Sequence, residues 1–187
     1  MEKPNKKFIF LDRDGVINRD SPDYIKSWAE FEFLPNSLKA IQYLTENNFS
    51  IIIITNQSAI NRGMISVKKL DHIHLRMREA CRDHGGNIRD IFFCPHTPAE
   101  GCECRKPRPG LIFQAQKTYN IDIRTTAMIG DSARDIECGR NAGCRQAILV
   151  QTGNFHEARR LLAEKNIQPD YIAKDLFDAA LQIVGHE

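Results

Sequence analysis

No segment of this chain is apolar for anything near the roughly eighteen residues that a transmembrane helix requires. Neither sign of charge predominates: 26 Lys and Arg stand against 24 Asp and Glu, a formal net charge of +2. The first absence excludes a helical membrane span; the second removes any whole-chain attraction to nucleic acid or an anionic bilayer, so recognition must rest on local charge. After the lysine-rich start Met1–Lys7, the apolar run Phe8–Leu11 is cut off by Asp12, too early for the apolar region of an export signal, and a cytoplasmic protein is expected. Internal repeats, low-complexity tracts and linkers are also missing. With 187 residues, 42% of them apolar, a single domain over 1–187 with a sizeable core follows, and a monomer is expected.

Cysteine is present but unevenly placed: of six, three fall between Cys94 and Cys104. In a cytoplasmic chain such a cluster points to metal before disulfides. Cys94, His96, Cys102 and Cys104 supply three thiolates and one imidazole, a set that suits tetrahedral structural Zn²⁺ and leaves no position for a catalytic water. Cys81, Cys138 and Cys144 read as packing residues.

Short apolar runs alternate with amphipathic stretches from end to end. Phe8–Leu11 and Phe49–Thr55 are continuous and, at Ile51–Ile54, β-branched, as expected of strands buried on both faces; Ile91–Phe93, Ala127–Ile129, Ala147–Val150 and Tyr171–Ala173 continue the series. Between them lie helical patterns: Leu38, Ile41, Leu44; then Val67, Leu70, Ile73, Met77, Cys81 after the cap Ser66; then Leu111–Tyr119, Ser132–Asn141, Phe155–Lys165 and Leu176–Val184. Strand alternating with helix predicts an α/β fold, a Rossmann-like doubly wound parallel sheet with helices on both faces.

Polar residues follow several of the strands: Asp12 and Asp14 the first, Thr55-Asn56-Gln57-Ser58 the second, Gly130-Asp131 the fourth. Ligands of open parallel sheets bind beyond the carboxyl ends of the strands, so these segments converge on one crevice. Two carboxylates at about 4 Å repel by roughly 4 kcal/mol at an effective dielectric of 20. Three therefore need a cation, and an oxygen-only set suits Mg²⁺, which commonly shares its site with phosphate. Lys106 adds a point charge, Arg105 a planar fork and Thr55 a hydroxyl, and the constellation reads as a phosphoryl-transfer site.

Asp12-Arg-Asp-Gly-Val16, Thr55-Asn-Gln-Ser58, Arg105-Lys-Pro107 and Gly130-Asp-Ser-Ala-Arg-Asp135 resemble, in order, the four motifs of the haloacid dehalogenase superfamily of phosphatases. The resemblance implies that Asp12 attacks phosphorus and that Asp14 protonates the leaving alcohol, then activates water against the aspartyl-phosphate. It implies that Thr55 and Lys106 stabilise the transferring group and that Asp12, the backbone carbonyl of Asp14, and Asp131 hold Mg²⁺, with Asp135 behind them. The interval between Asp12 and Thr55 leaves no room for a large cap domain. Two positions depart from the common pattern: Val16 where many members carry threonine, and Ser132 where some carry lysine.

The loop Cys94–Cys104, running straight into the lysine motif, is similar to the zinc loop shared by the heptose bisphosphate phosphatases and the histidinol-phosphate phosphatase domains. With Asn18-Arg-Asp20, Tyr24 and Thr55–Gly63 it implies a phosphorylated sugar as substrate, contacted by Arg13, Asp20, Tyr24, Asn56, Gln57, Ser58, Arg62 and Arg105, in the making of nucleotide-activated heptose for surface polysaccharide. Histidinol phosphate is the rival substrate. A phosphorylatable signalling module and a zinc-stabilised binding protein are the rivals of another class. Asp14 argues against the first, because it hastens loss of phosphate; the four motifs argue against the second. His72 and His74, two apart, do not share a helix face and read as surface or packing residues, and Trp28 with Phe31-Glu-Phe33 either packs under a loop or shapes the entrance.

Overall fold

A computed structural model describes residues 7–185; most of the lysine-rich start and the last two residues lie outside the described residues. Six strands form one parallel sheet in the order β3-β2-β1-β4-β5-β6. They are β1 (Lys7–Leu11), β2 (Phe49–Asn56), β3 (Ile88–Cys94), β4 (Ala127–Gly130), β5 (Gln146–Val150) and β6 (Tyr171–Ala173). Among the described residues, six helices alternate with them: α1 (Ser37–Glu46), α2 (Val67–Asp83), α3 (Gly110–Tyr119), α4 (Ala133–Ala142), α5 (Phe155–Glu164) and α6 (Leu176–Gly185). The expected strand Ile91–Phe93 extends to Ile88–Cys94: the polar Arg89 and Asp90 interrupt its apolar run, and Arg89 is skipped in the pairing to β2, where Ile51 pairs with Ile88 and Ile52 with Asp90.

The period-two geometry of a strand divides the central sequence between two layers. Ile9 and Leu11 of β1, with Ile51 and Ile53 of β2, pack with α1, α2 and α6. Phe8, Phe10, Ile52 and Ile54 point the other way, into a layer with α3 and Cys138 of α4, and Ala147 and Leu149 of β5 meet α4 and α5 beside it. Sequence that is apolar on both alternations therefore lies at the centre of a three-layer sandwich. Cys81, Cys138 and Cys144 are buried there as packing residues.

The order of strands reverses direction between β1 and β4, so the chain departs to opposite sides after these two neighbours and leaves a crevice beyond their ends. Leu11 pairs with both Ile53 and Ile129, which brings Asp12 level with Gly130 and one residue short of Asp131. Among the described residues, no cap-sized insertion covers the crevice. Residues 12–36, with a single 3₁₀ turn at Trp28–Glu30, and the loop between β3 and α3 form its walls. Trp28 and Phe31 stack under the first wall with ring centroids 4.9 Å apart and Phe33 meets both edge-on, so the three rings pack together.

Candidate active site

Asp12 leaves β1 at the switch point, with its amide donating to the Ile129 carbonyl at 2.9 Å. Its Oδ1 lies 2.8 Å from Lys106 Nζ and accepts from the Arg13 amide at 2.7 Å. Lys106 is buried and also reaches Asp135 Oδ1 at 2.6 Å. Asp131, from the end of β4, accepts from the Asn154 amide at 2.7 Å. The carboxylates of Asp12, Asp131 and Asp135 thus meet in one buried cluster, with a single ammonium among them.

One cation for three carboxylates leaves the cluster short of positive charge. Burial pushes the Asp12 carboxyl up to about 7, against the pull of Lys106 and with the push of Asp135 and Asp14. Burial, then Asp135 and Asp12, push Asp131 up to about 8. An oxygen-lined, electron-rich pocket of this kind fits a hard divalent cation. Asp135 is committed elsewhere: besides Lys106 it accepts from the Ser132 amide at 3.0 Å and the Ser132 hydroxyl at 2.6 Å, capping α4. Gly15, at φ +78°, lies against Asp131; a Cβ there would overlap the carboxylate, so close approach of the backbone to the site requires glycine.

Asp14 points away from this cluster. Arg13 Nη2 grips both its oxygens at 2.8 and 2.9 Å, Asn18 Nδ2 donates at 2.9 Å and Gln57 Nε2 at 2.8 Å. Burial works to raise this carboxyl, but the Arg13 charge and the bonds from Asn18, Arg13 and Gln57 outweigh it and hold it below its ordinary value. Gln57 Nε2 also donates to Thr55 Oγ1 at 2.9 Å, tying the β2 end to Asp14.

Arg13 and Asn56 line the cleft, and both are also engaged by the protein itself. Arg13 is 1% exposed, with its guanidinium bound to Asp14 and His74. Asn56 Oδ1 accepts from the Lys106 amide at 3.1 Å and its Nδ2 donates to the Lys106 carbonyl at 3.3 Å, so it clamps the lysine. Arg62 is exposed beside the cleft without lining it, 6.0 Å from the Tyr24 ring. Tyr24 itself, in the left-handed region at φ 62°, lines the cleft with Asp20, Ser58 and Arg105. A bulky side chain held at positive φ is the kind of local strain found at functional loops. Val16 is buried in the core, and Ser132 serves as the α4 cap.

The β3–α3 loop gathers the four soft donors. Sulfur–sulfur separations among Cys94, Cys102 and Cys104 run from 3.1 to 3.6 Å, and His96 Nδ1 lies 3.2 Å from Cys104 and 3.5 Å from Cys94. These exceed a disulfide and approach the edges, roughly 3.5–3.8 Å, of a tetrahedron with Zn–S bonds of about 2.3 Å. The donor set fits Zn²⁺ with no vacant vertex. Cys104 is followed at once by Arg105 and Lys106, and Arg105 Nη1 donates to the His96 carbonyl at 2.9 Å. The thiolate loop thus carries both cations to the cleft.

Sequence reasoning passed over Arg134, which lines the same cleft from the first turn of α4. Burial and then the Arg134 charge lower the Arg105 guanidinium, as expected of two like charges facing one volume. Its signal was available as the third residue after Asp131, but a helix-surface arginine is ordinary in sequence. Asn154 was also passed over; its side chain joins Asp131 at 3.1 Å to Asp20 at 3.0 Å across the mouth.

A family model described as HAD-hydrolase-like matches residues 103–179. The D-glycero-β-D-manno-heptose-1,7-bisphosphate 7-phosphatase of Bordetella bronchiseptica is 40% identical over 179 residues, 95% of this chain and 98% of that protein. The D-glycero-α-D-manno-heptose-1,7-bisphosphate 7-phosphatase of Photorhabdus laumondii is 38% identical, with 82% and 87% covered. Among solved structures, the D,D-heptose 1,7-bisphosphate phosphatase of B. bronchiseptica, complexed with magnesium and phosphate, superposes with a TM-score of 0.90 at 39% identity, covering 97% of this chain and 99% of that one.

Proposed function

The chain belongs to the haloacid dehalogenase-like hydrolases, in the branch of the heptose bisphosphate phosphatases, and from that premise we propose that it removes the 7-phosphate of D-glycero-D-manno-heptose 1,7-bisphosphate. Asp12 is the nucleophile and becomes phosphorylated; Asp14, held ionised in the free site, takes up a proton under the negative charge of the entering phosphate, gives it to the departing C7 alcohol and then takes one from water as the aspartyl-phosphate is hydrolysed. Lys106 and Thr55 meet the charge on the transferring phosphoryl oxygens. Mg²⁺, held by Asp12, Asp131 and the Asp14 carbonyl, supplies further neutralisation of that charge. A bound Mg²⁺ also lowers the raised Asp12 carboxyl and readies it as a nucleophile.

The observation that carries the substrate assignment is the pairing of this centre with two guanidinium groups, Arg105 and Arg134, on the same cleft. A sugar bisphosphate presents a second phosphate to that pair, and bidentate arginine contacts suit it. Histidinol phosphate presents a cationic amine there and meets repulsion. All the residues assigned come from one chain, so a monomer is competent, and a phosphorylated sugar destined for nucleotide activation places the enzyme in the cytoplasm.

The test is kcat/KM on both anomers of the heptose bisphosphate, beginning with the β anomer named for the Bordetella relative, beside histidinol phosphate and the heptose 7-monophosphate. The bisphosphate should lead, and Arg105→Ala and Arg134→Ala should each erode its lead over the monophosphate, by about tenfold per lost charge contact. Equal turnover of mono- and bisphosphate in the unmodified enzyme would defeat the assignment.

A further inference from the structure

We infer that His74 is a positioning residue for proton transfer: through Arg13 it fixes the orientation of Asp14 and so governs how well the leaving alcohol is protonated. This rests on the reading of Asp14 as the general acid.

His74 sits on α2, a helix that contributes no residue to the lining of the cleft. It is nevertheless buried, between Leu70, Ile73 and Met77 along the same helix, with its ring 6.1 Å from that of Phe93. Its Nε2 lies 3.2 Å from Arg13 Nη1. A guanidinium has only donors, so Nε2 must accept and the ring proton resides on Nδ1. Burial, then the Arg13 charge, push the imidazole down to about 3, which keeps it in that accepting form.

Arg13 is anchored at both ends. Nη2 and Nε engage Asp14 at 2.8–3.2 Å, and Nη1 engages His74. With the side chain 1% exposed, solvent offers Nη1 no replacement partner. Removing the His74 acceptor leaves a buried charged donor unmatched, a costly state that the guanidinium relieves by turning. Any turn takes Nη2 off one Asp14 oxygen. Asn18 and Gln57 hold Asp14 too, so its orientation should loosen without being lost.

A packing residue and a positioning residue predict different kinetics. The parameter kcat/KM reports steps only up to departure of the alcohol, before the Asp12 phosphate is hydrolysed. An alkyl phosphate needs a proton for that departure; p-nitrophenyl phosphate does not, because its phenolate leaves unaided. The experiment measures kcat/KM on the heptose bisphosphate and on p-nitrophenyl phosphate for the unmodified enzyme, His74→Leu, His74→Met, His74→Gln and Asp14→Asn, with thermal midpoints. Leu and Met keep bulk and remove the acceptor; Gln keeps an acceptor. The apolar variants should lose about tenfold more on the sugar than on the aryl ester, a fraction of the roughly 10²- to 10⁴-fold worth of general acid catalysis, and Gln should restore most of it. Equal losses on the two substrates, or a Gln variant no better than a folded Leu or Met variant, would overturn the inference. If Asp14→Asn also loses equally on both, the general-acid reading fails and carries the inference with it. If Asp14→Asn discriminates and the His74 variants do not, only the inference fails.

Discussion

Two clusters of site side chains lie two residues apart in sequence at their closest, Cys104 and Lys106, and were built in opposite ways. Cys94, His96, Cys102 and Cys104 come from a single short loop, and their donor atoms converge because the chain turns back on itself. Asp12, Lys106, Asp131 and Asp135 come from the far ends of the fold, and only the parallel register of β1 with β4 and the loop from β3 bring them together. The soft cluster is complete in itself. The hard one is electrostatically unfinished, with Asp12 and Asp131 raised to about 7 and about 8 until a cation arrives. A local cluster serves to stiffen a loop; a cluster assembled from strand ends keeps unmet charge where chemistry needs it.

Three measurements press on that contrast. The largest effect belongs to Asp12→Asn, nearly isosteric with the nucleophile and unable to attack phosphorus. Turnover of the heptose bisphosphate should fall to background while zinc content and thermal midpoint stay close to those of the unmodified protein. Substantial activity in a folded preparation would show that the unfinished cluster is not where the covalent step occurs.

Next in size is Cys102→Ser, which removes one thiolate and touches no residue assigned to phosphoryl transfer. If the loop holds Arg105 and Lys106 in register, zinc should be lost, KM should rise and kcat should fall together, by about tenfold or more, since small displacements of positioned groups are costly. The sheet is expected to fold without zinc, so circular dichroism should change little. Zinc loss with unaltered kinetics would separate the two clusters functionally and break the connection drawn between them.

The smallest effect is thermodynamic. Carboxyls raised above their ordinary 3.8 retain protons in the metal-free folded state that the unfolded chain has already released. Metal-free stability should therefore decline as pH rises from about 4 to about 8. Mg²⁺ displaces those protons, so the rise in thermal midpoint that it produces should grow over the same window, by a few degrees for each kcal/mol, about 2–4 °C in a chain of this size. Calorimetry at pH 5 and pH 8 with and without Mg²⁺ reads the sign; a larger stabilisation at pH 5 would contradict it.

Most of the fold was legible because a buried parallel strand cannot hide its composition: Phe8–Leu11 and Ile51–Ile54 are apolar on both alternations. The boundaries of β3 were less legible because Asp90 joins the ladder through its backbone, which carries no side-chain signature, while Arg89 is skipped in the pairing. Within the site, the order of the motifs singled out Asp12, Asp14, Thr55, Lys106 and Asp131, which the fold gathers on one cleft, and clustering with donor type singled out Cys94, His96, Cys102 and Cys104, whose donor atoms converge.

What sequence by itself determined, then, is which groups the protein owns and which backbone runs end beside them: a strand's period and a loop's ligand spacing are local properties. Only the tertiary structure decided which way those groups face. It turned Arg13 inward to Asp14 and His74, closed Asn56 around Lys106, set Arg134 opposite Arg105 and brought Asp135 under Lys106. The reason is that a polar side chain's direction is set by the partners it finds once water is excluded, and those partners come from elements remote in the chain.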